Sequence, residues 1–164
     1  MKELTAIRDA VLSALQEAGL TALAAFPAER ARRYTQAVAA VAVDTAESKT
    51  VGFCNYLGEA WDEEAGTVKE FYGKRLDAVI TVEIRGPQAA VCHQGAEAAA
   101  EVLLGGLPAG IHPGELSWEG MSWEKETGMF LRRGRLQCQA VFVAKSSGED
   151  PMFLDFILKG VLST

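Results

Sequence analysis

Cysteine and histidine are the residue types in this chain that could bind a soft metal ion. The three cysteines are Cys54, Cys92 and Cys138, and the two histidines are His93 and His112. The cysteines lack Cys-x-x-Cys spacing, and the histidines lack the spacing of a metal motif. An odd number of widely spaced cysteines with apolar neighbours is typical of buried, reduced thiols. We therefore expect no metal, no cofactor and no disulfide framework.

Acids, serines and glycine-rich stretches also give no catalytic motif. The stretch DEEAG (62–66) and Glu70 supply carboxylates, and glycoside hydrolysis needs two of them across a sugar. DEEAG reads as a turn, however, where solvated charge is the ordinary explanation. WEGMSWE (118–124) has a serine between two tryptophans but no Gly-x-Ser-x-Gly elbow. LLGGLPAG (103–110) lacks the lysine and hydroxyl of a phosphate loop. We therefore expect no catalytic residue.

Arginine occurs in two tight groups, which leave three interpretations open. The first group lies in RARRY (30–34), and the second is Arg132, Arg133 and Arg135. On a strand, Arg133 and Arg135 would share one face and Arg132 would lie on the other. Gly134 between them suggests a bulge or a close backbone approach. Salt bridges to a neighbouring subunit, nucleic-acid contacts and solvated charge all fit, although a net charge of −6 disfavours general polyanion binding.

The size of the chain fits one domain, 1–164, with a substantial core. Hydrophobic residues make up 49% and charged residues 23%, which is ordinary for a globular protein. The N-terminal stretch has acids within it and no continuous apolar run, so it predicts an amphipathic helix rather than a signal peptide. The longest apolar runs are too short to cross a bilayer.

Two helices are predicted. Apolar residues recur at helical spacing over about 3–18, and Gly19 follows as a C-terminal cap. The second helix covers about 88–104 and ends at Gly105-Gly106. Between them, the segment 20–36 is interrupted at Phe26-Pro27, which favours a short strand up to Phe26 and then a polar turn.

The remaining segments predict strands. Alternation is clearest over 68–85, where Leu76, Ala78, Ile80, Val82 and Ile84 would face the core and Gly73 would mark a bulge. The other predicted segments follow in chain order: a buried strand 37–44, DTAESKT (44–50) as a turn, a weak strand 51–61, DEEAGT (62–67) as a turn, LPAGIHPG (107–114) as a loop, a strand or hairpin arm 115–126, a strand 129–145 and a last strand 153–162.

This order of elements predicts an α+β fold in a single domain. Helix, antiparallel strands, helix and antiparallel strands follow one another along the chain. Helices grouped against one side of a sheet bury the apolar side of both. We expect an antiparallel or mixed β-sheet with two main helices packed on one face.

The same order resembles the tail terminator (tail completion) proteins of long-tailed bacteriophages and phage-derived tail-like particles. The matching stretches are LTAIRDAVLSALQEAG, AFPAERARRYTQAVAAVAV, EFYGKRLDAVITVEIRGP with the alanine-rich helix after it, GMFLRRGRLQCQAVFVA and FLDFILKGV. These stretches cover nearly the whole chain. The resemblance rests on chain length, the order of elements and the pattern of residue types, without an invariant motif. Members of this family have no catalytic residues to transfer.

The resemblance implies a structural role in the virion tail, assembled in the bacterial host cytoplasm. Such proteins form a ring, usually of six subunits, on the head-proximal end of the tail tube. The ring stops tube polymerisation and presents a surface to the neck or connector proteins. Its expected partners are other copies of itself, the tube protein and the neck, with DNA only in passage and no membrane.

In such a ring, exposed sheet edges and large side chains would form subunit contacts. Aromatic, Met and Arg residues are enriched in interfaces. The candidate interface residues are Arg132, Arg133, Arg135, Trp118, Trp123 and Met121. Acids of the DEEAG turn, Asp62, Glu63 and Glu64, are candidate partners for Arg133 and Arg135.

Two alternatives remain. One is another virion component of similar size, such as a head–tail connector or a tail-tube subunit. The other is a small-molecule-binding or enzymatic α+β domain that uses Trp61, Tyr72 and Trp118, which would require a cleft with convergent polar groups.

Overall fold

The computed structural model of the chain describes residues 2–50, 56–146 and 154–159. Helix α1 covers Lys2–Glu17 and helix α2 covers Ala89–Gly105, close to the predicted bounds. A 3-10 helix covers Ala28–Arg33. The strands are β1 (Thr21–Leu23), β2 (Val38–Thr50), β3 (Tyr56–Asp62), β4 (Thr67–Gly86), β5 (Ile111–Trp118), β6 (Ser122–Glu124), β7 (Met129–Ser146) and β8 (Leu154–Leu158).

One eight-stranded sheet contains these strands, in the central order β1-β2-β4-β7-β5. All the pairs are antiparallel except β1 with β2, so the sheet is mixed, and the predicted α+β class is confirmed. β4 and β7 form its spine, paired without a register shift from Gly73 with Val143 to Gly86 with Phe130. β3 pairs with β4, while β6 and β8 pair with β7.

Both helices pack on the same face of the sheet, as the sequence predicts. Alternate residues of β4 face them, and each is buried: Leu76, Ala78, Ile80, Val82 and Ile84. The helices contribute buried residues to the same core: Ile7, Val11 and Leu15 from α1, and Cys92, Ala96, Ala99 and Leu103 from α2. A period of two on the strand and of about 3.6 on the helices therefore brings both apolar sides together.

The predicted turn DTAESKT (44–50) is wrong, because β2 continues through it to Thr50. Its residues pair with β4 from Thr45 opposite Val79 to Thr50 opposite Lys74, after a register shift at Asp44. This half of the strand is exposed. It therefore lacks the alternation of apolar residues by which a half-buried strand is recognised.

Three further boundaries differ from the prediction. β1 ends at Leu23 rather than Phe26, and the expected polar turn is the 3-10 helix. The predicted loop LPAGIHPG (107–114) already enters β5 at Ile111, where a register shift after Pro113 accommodates the proline. The segment 115–126 contains parts of two strands, β5 and β6, and both pair with β7.

The predicted bulge at Gly73 is also wrong, because Gly73 pairs in regular register with Val143. The irregularities lie on the partners of β4: between Val43 and Thr45 in β2, and between Tyr56 and Gly58 in β3. In the described residues, no helix has the length and apolar character needed to span a membrane.

Candidate functional site

The second arginine group divides between the two faces of β7 in the predicted way. Arg133 and Arg135 lie opposite Glu83 and Thr81 of β4, on the sheet face away from the helices, which we call the second face. Arg132 lies on the helix side, where its guanidinium is 3.5 Å from Nδ1 of His93 in α2. The group is therefore not a continuous basic stripe.

On the second face, Arg133 is bound by acids of its own chain. Its Nη2 donates to Oε1 of Glu83 at 2.6 Å, and its Nε donates to the same oxygen at 3.0 Å. A longer ion pair of 3.6 Å joins it to Glu119. The hydrogen bonds that Arg133 donates to Glu83 raise the pKa of Arg133 above its usual range. The predicted partners in the DEEAG turn are therefore not needed to neutralise it.

Arg85 is the buried centre of this network, with 9% of its surface exposed. Its guanidinium donates to Glu83 at 2.9 Å and to Glu124 at 3.0 Å and 3.2 Å, and it stacks 4.7 Å from the Phe26 ring centre. Burial lowers the pKa of Arg85, but the two carboxylates outweigh this effect and raise it. The hydrogen bond from Arg85 in turn lowers the pKa of Glu124.

Arg135 has the weakest partner of the arginines on the second face. The distance from its Nη2 to Oδ2 of Asp44 is 3.7 Å, while Thr81 donates to the same oxygen at 2.5 Å. These groups line a shallow groove of about 580 Å³, between the second face and residues 24–26. Because its arginines already face Asp44, Glu83 or Glu124, the groove does not present free cations to an anionic ligand.

Trp118 lies against the sheet rather than outward, and the predicted close approach at Gly134 explains why. The two residues pair across β5 and β7, and a Cβ on Gly134 would come within 2.7 Å of the Trp118 ring. Gly134 remains in register, so it is not a bulge. Arg132 lies 5.9 Å from the Trp118 ring centre, at cation–π distance.

The other two candidate interface residues differ in exposure. Trp123 is 56% exposed and meets Phe130 edge-on with ring centres 5.0 Å apart. Met121 is partly buried against the core. Of the six candidates, Trp123 and Arg135 are therefore the ones with the most free surface. Their role in a subunit contact stays a prediction.

A two-stranded arm extends from the sheet, and the sequence indicated it only weakly. It consists of β3 and residues 67–72 of β4, joined by the predicted turn at DEEAGT. Asp62 accepts hydrogen bonds from the amides of Glu64 and Ala65, and Gly66 has a positive φ of 63°, which suits glycine. The turn is therefore well formed.

The arm exposes apolar side chains along its length. Trp61 is 63% exposed, Val68 opposite it is 53% exposed, and Phe71 is 40% exposed. The rings of Tyr56 and Tyr72 meet edge-on, with their centres 5.7 Å apart. Glu59 lies directly opposite Glu70, which is an unfavourable like-charge pair. An isolated hairpin of this kind is marginally stable in water. Packing of the arm on a partner would therefore bury exposed apolar surface and stabilise the hairpin.

The carboxylates of the arm lie around its turn and on its exposed surface. Glu70 accepts a hydrogen bond from Tyr72 at 2.7 Å, and the acids of the tip cap or flank the turn. The acids of the tip line a shallow surface of the arm together with apolar residues: Ala60, Trp61, Asp62, Glu63, Glu64 and Phe71.

The aromatics of the enzymatic alternative are far apart. Trp118 pairs with Gly134, which pairs with Val82, whereas Tyr72 lies ten positions earlier on β4. At about 3.3 Å per residue, this separation is roughly 30 Å. Trp61 lies still further out on the arm. The three side chains therefore do not line a common cleft.

The described cysteines are buried thiols. Cys92 donates from Sγ to the Ile84 carbonyl at 3.4 Å, and burial raises its pKa. Burial, with the charge of Asp77, raises the pKa of Cys138 to about 11. Cys54 lies outside the described residues. Within those residues, no three His, Cys, Asp or Glu side chains come together as metal ligands.

The outer edge of β2 is the last feature of interest. β1 pairs only with Val38 to Ala40, so the strand from Val41 to Thr50 has β4 on one side and no other strand among the described residues. Unpaired backbone groups on such an edge can accept another strand. No protein-family model matches the chain, and no curated protein matches it.

Proposed function

We propose that this chain is a structural protein of a phage-type tail, which caps the head-proximal end of the tail tube as an oligomeric ring. The proposal starts from the resemblance of its stretches to tail terminator proteins. On this proposal the chain ends tube polymerisation, joins the tail to the neck and acts without catalysis.

The observation that carries the proposal is the arm. Trp61, Val68 and Phe71 are exposed on a hairpin whose main contacts, among the described residues, are between its own two strands. A hairpin of this kind gains stability when a partner covers its apolar side chains. The part of β2 that has no strand on its outer side among the described residues, Val41 to Thr50, adds a second surface suited to contact with another chain. Both features are expected of a subunit that is stabilised by its neighbours.

A head–tail connector or a tube subunit would use such surfaces too, so the experiment must separate a closed cap from a continuing polymer. The gene for this chain is deleted from the genome that encodes the particle. Tails are then imaged from the deletion strain and from the same strain in which the gene is restored. A cap predicts a ring at one end of each tail in the presence of the chain. The chain distributed along the whole tube would instead indicate a tube subunit and reject the cap.

A further inference from the structure

We infer that neighbouring copies of this chain join head to tail, with the acidic tip of the arm of one copy seated on a basic cluster of the next. The basic cluster is Arg30, Arg32 and Arg33, in the 3-10 helix. The tip is Trp61 with Glu63 and Glu64. This inference rests on the proposed ring and names the contact that would build it.

The basic cluster is the arginine group that has no ion-pair partner among the described residues. All three side chains are exposed, and within the described residues none of them makes an ion pair. Arg133 and Arg85, by contrast, are held by Glu83 at 2.6 Å and 2.9 Å. Arginine is enriched in interfaces, because its planar guanidinium can stack on a ring and donate hydrogen bonds at the same time.

The tip supplies the complementary groups. Glu63 and Glu64 are exposed, and neither forms an ion pair within the part of the chain that is described. Trp61 beside them is 63% exposed. An arginine laid over its ring would combine a cation–π contact with the burial of apolar surface, which an exposed ion pair alone does not provide.

The geometry prevents the two surfaces from meeting within one copy. Phe26 precedes the 3-10 helix and stacks on Arg85. Tyr34 follows the helix, and its ring centre lies 5.8 Å from that of Phe26. The basic cluster therefore lies at the Arg85 end of β4. The tip lies at the Thr67 end, eighteen positions away, which is roughly 60 Å along the strand at about 3.3 Å per residue.

Opposite ends of one molecule that complement each other give a heterologous contact. Each copy then offers a tip to the next and a cluster to the one before. Such a contact closes into a ring when the rotation between copies allows it and otherwise continues as a filament. The hairpin, which is marginal by itself, is stabilised by the cluster of its neighbour.

Charge reversal on both surfaces tests the contact by sedimentation velocity over a range of protein concentrations. One variant carries Glu63→Lys and Glu64→Lys, a second carries Arg32→Glu and Arg33→Glu, and a third combines all four changes. Each reversal alone should weaken self-association by about tenfold or more, and the combination should restore most of it. Trp61→Ala should weaken association as well, without any change of charge.

The matched control for the tip variant is Glu101→Lys with Glu115→Lys, which gives the same change in net charge as Glu63→Lys with Glu64→Lys, at exposed positions away from both surfaces. Circular dichroism of every variant separates loss of contact from loss of fold. Association unchanged by either reversal, or lost equally in the control, overturns the inference. A combined variant no better than the single reversals also overturns it, as does a wild-type chain that stays monomeric at every concentration.

A nucleic acid is the other partner that could occupy exposed arginines. If Arg32→Glu with Arg33→Glu abolishes binding of duplex DNA and leaves association intact, the cluster is a DNA contact and the inference fails. Rings that cap tubes normally with either reversal would reject this contact but leave the proposed cap standing. If the reversals weaken and restore association as predicted, but the chain never caps a tube, the contact between copies is supported and the proposed cap is rejected.

Discussion

At the scale of single residues, the main finding is that arginines adjacent in sequence have different surroundings. Arg133 and Arg85 are bound to Glu83, a residue 50 positions from Arg133, whereas Arg135 has one long ion pair at 3.7 Å. Charge reversal at Arg133 would place a glutamate beside Glu83 and disturb the fold itself. Arg133 is therefore a poor position at which to test a subunit contact.

The network on the second face predicts unequal costs for two matched substitutions. Arg85→Met removes the buried partner of Glu83 and Glu124 and should lower the free energy of unfolding by about 2 kcal/mol. Arg135→Met, on the same face but half exposed, should change it by less than about 0.5 kcal/mol. Urea denaturation measures both. Equal losses would contradict the assignment of Arg85 as the buried centre.

The pH dependence of stability should depend on Glu124. Its pKa is lowered from 4.5 by the hydrogen bond from Arg85, so its ionised form stabilises the fold above about pH 4.5, and this stabilisation is lost as the pH falls through the lowered value. Glu124→Gln should therefore cost about 1 kcal/mol near neutral pH, with the gap to the wild type narrowing below pH 4.5.

Denaturation curves at a series of pH values measure this gap. The control is Glu126→Gln, an exposed glutamate in the same turn, which should leave stability within about 0.5 kcal/mol of the wild type at every pH. A gap at Glu124 that stays constant from neutral to acid pH would show that its charge is not what stabilises the fold.

At the scale of elements, the packing of α2 on the sheet depends on a close approach at Gly95. A Cβ at this position would overlap the Cβ of Ala37 and lie 3.0 Å from Cγ2 of Ile84. Gly95→Ala should therefore force the helix away from the sheet and cost about 1–3 kcal/mol, despite the better helix propensity of alanine.

Gly105 provides the matched control in the same helix, because a Cβ there meets nothing within 4 Å. Gly105→Ala should be neutral or slightly stabilising, by up to about 1 kcal/mol. Thermal denaturation of both variants compares them directly. A Gly95→Ala protein as stable as the wild type would mean that the helix does not approach the sheet as closely as described.

Elements with a strong periodic signal were predictable from the sequence, and the others were not. Leu76 to Ile84 alternate because one side of β4 is buried, and the α1 residues Ile7, Val11 and Leu15 recur for the same reason. Thr45 to Thr50 belong to a strand but are exposed, so their composition looked like a turn. Gly73 was expected to form a bulge, but the register shifts lie in β2 and β3, two of the strands that pair with β4.

The candidate site was less predictable than the fold, because it depends on pairs distant in sequence. The division of Arg132 from Arg133 followed from strand alternation alone. The ion pair of Arg133 with Glu83 needs the register of β7 on β4, which no local pattern encodes. Likewise, the exposure of Trp61 depends on where β2 and β7 stop pairing with β4, which leaves the first six residues of β4 (67–72) paired with β3 alone among the described strands.

At the scale of the whole molecule, the sheet has a packed end and an extended end. The packed end holds both helices, the ion network and the 3-10 helix, while the arm extends from the other end. A molecule with complementary surfaces at opposite ends is suited to a closed assembly of identical copies. This asymmetry is the physical basis on which the cap and the contact between copies are proposed.

Tail length is the measurement that tests the central claim most directly. Tails are prepared from particles with the gene for this chain intact, deleted and restored, and the length of each is measured in electron micrographs. A cap that ends tube polymerisation predicts one narrow length distribution with the gene present, and tubes of uncontrolled length without it. Tails of the same narrow length in all three preparations would contradict the account.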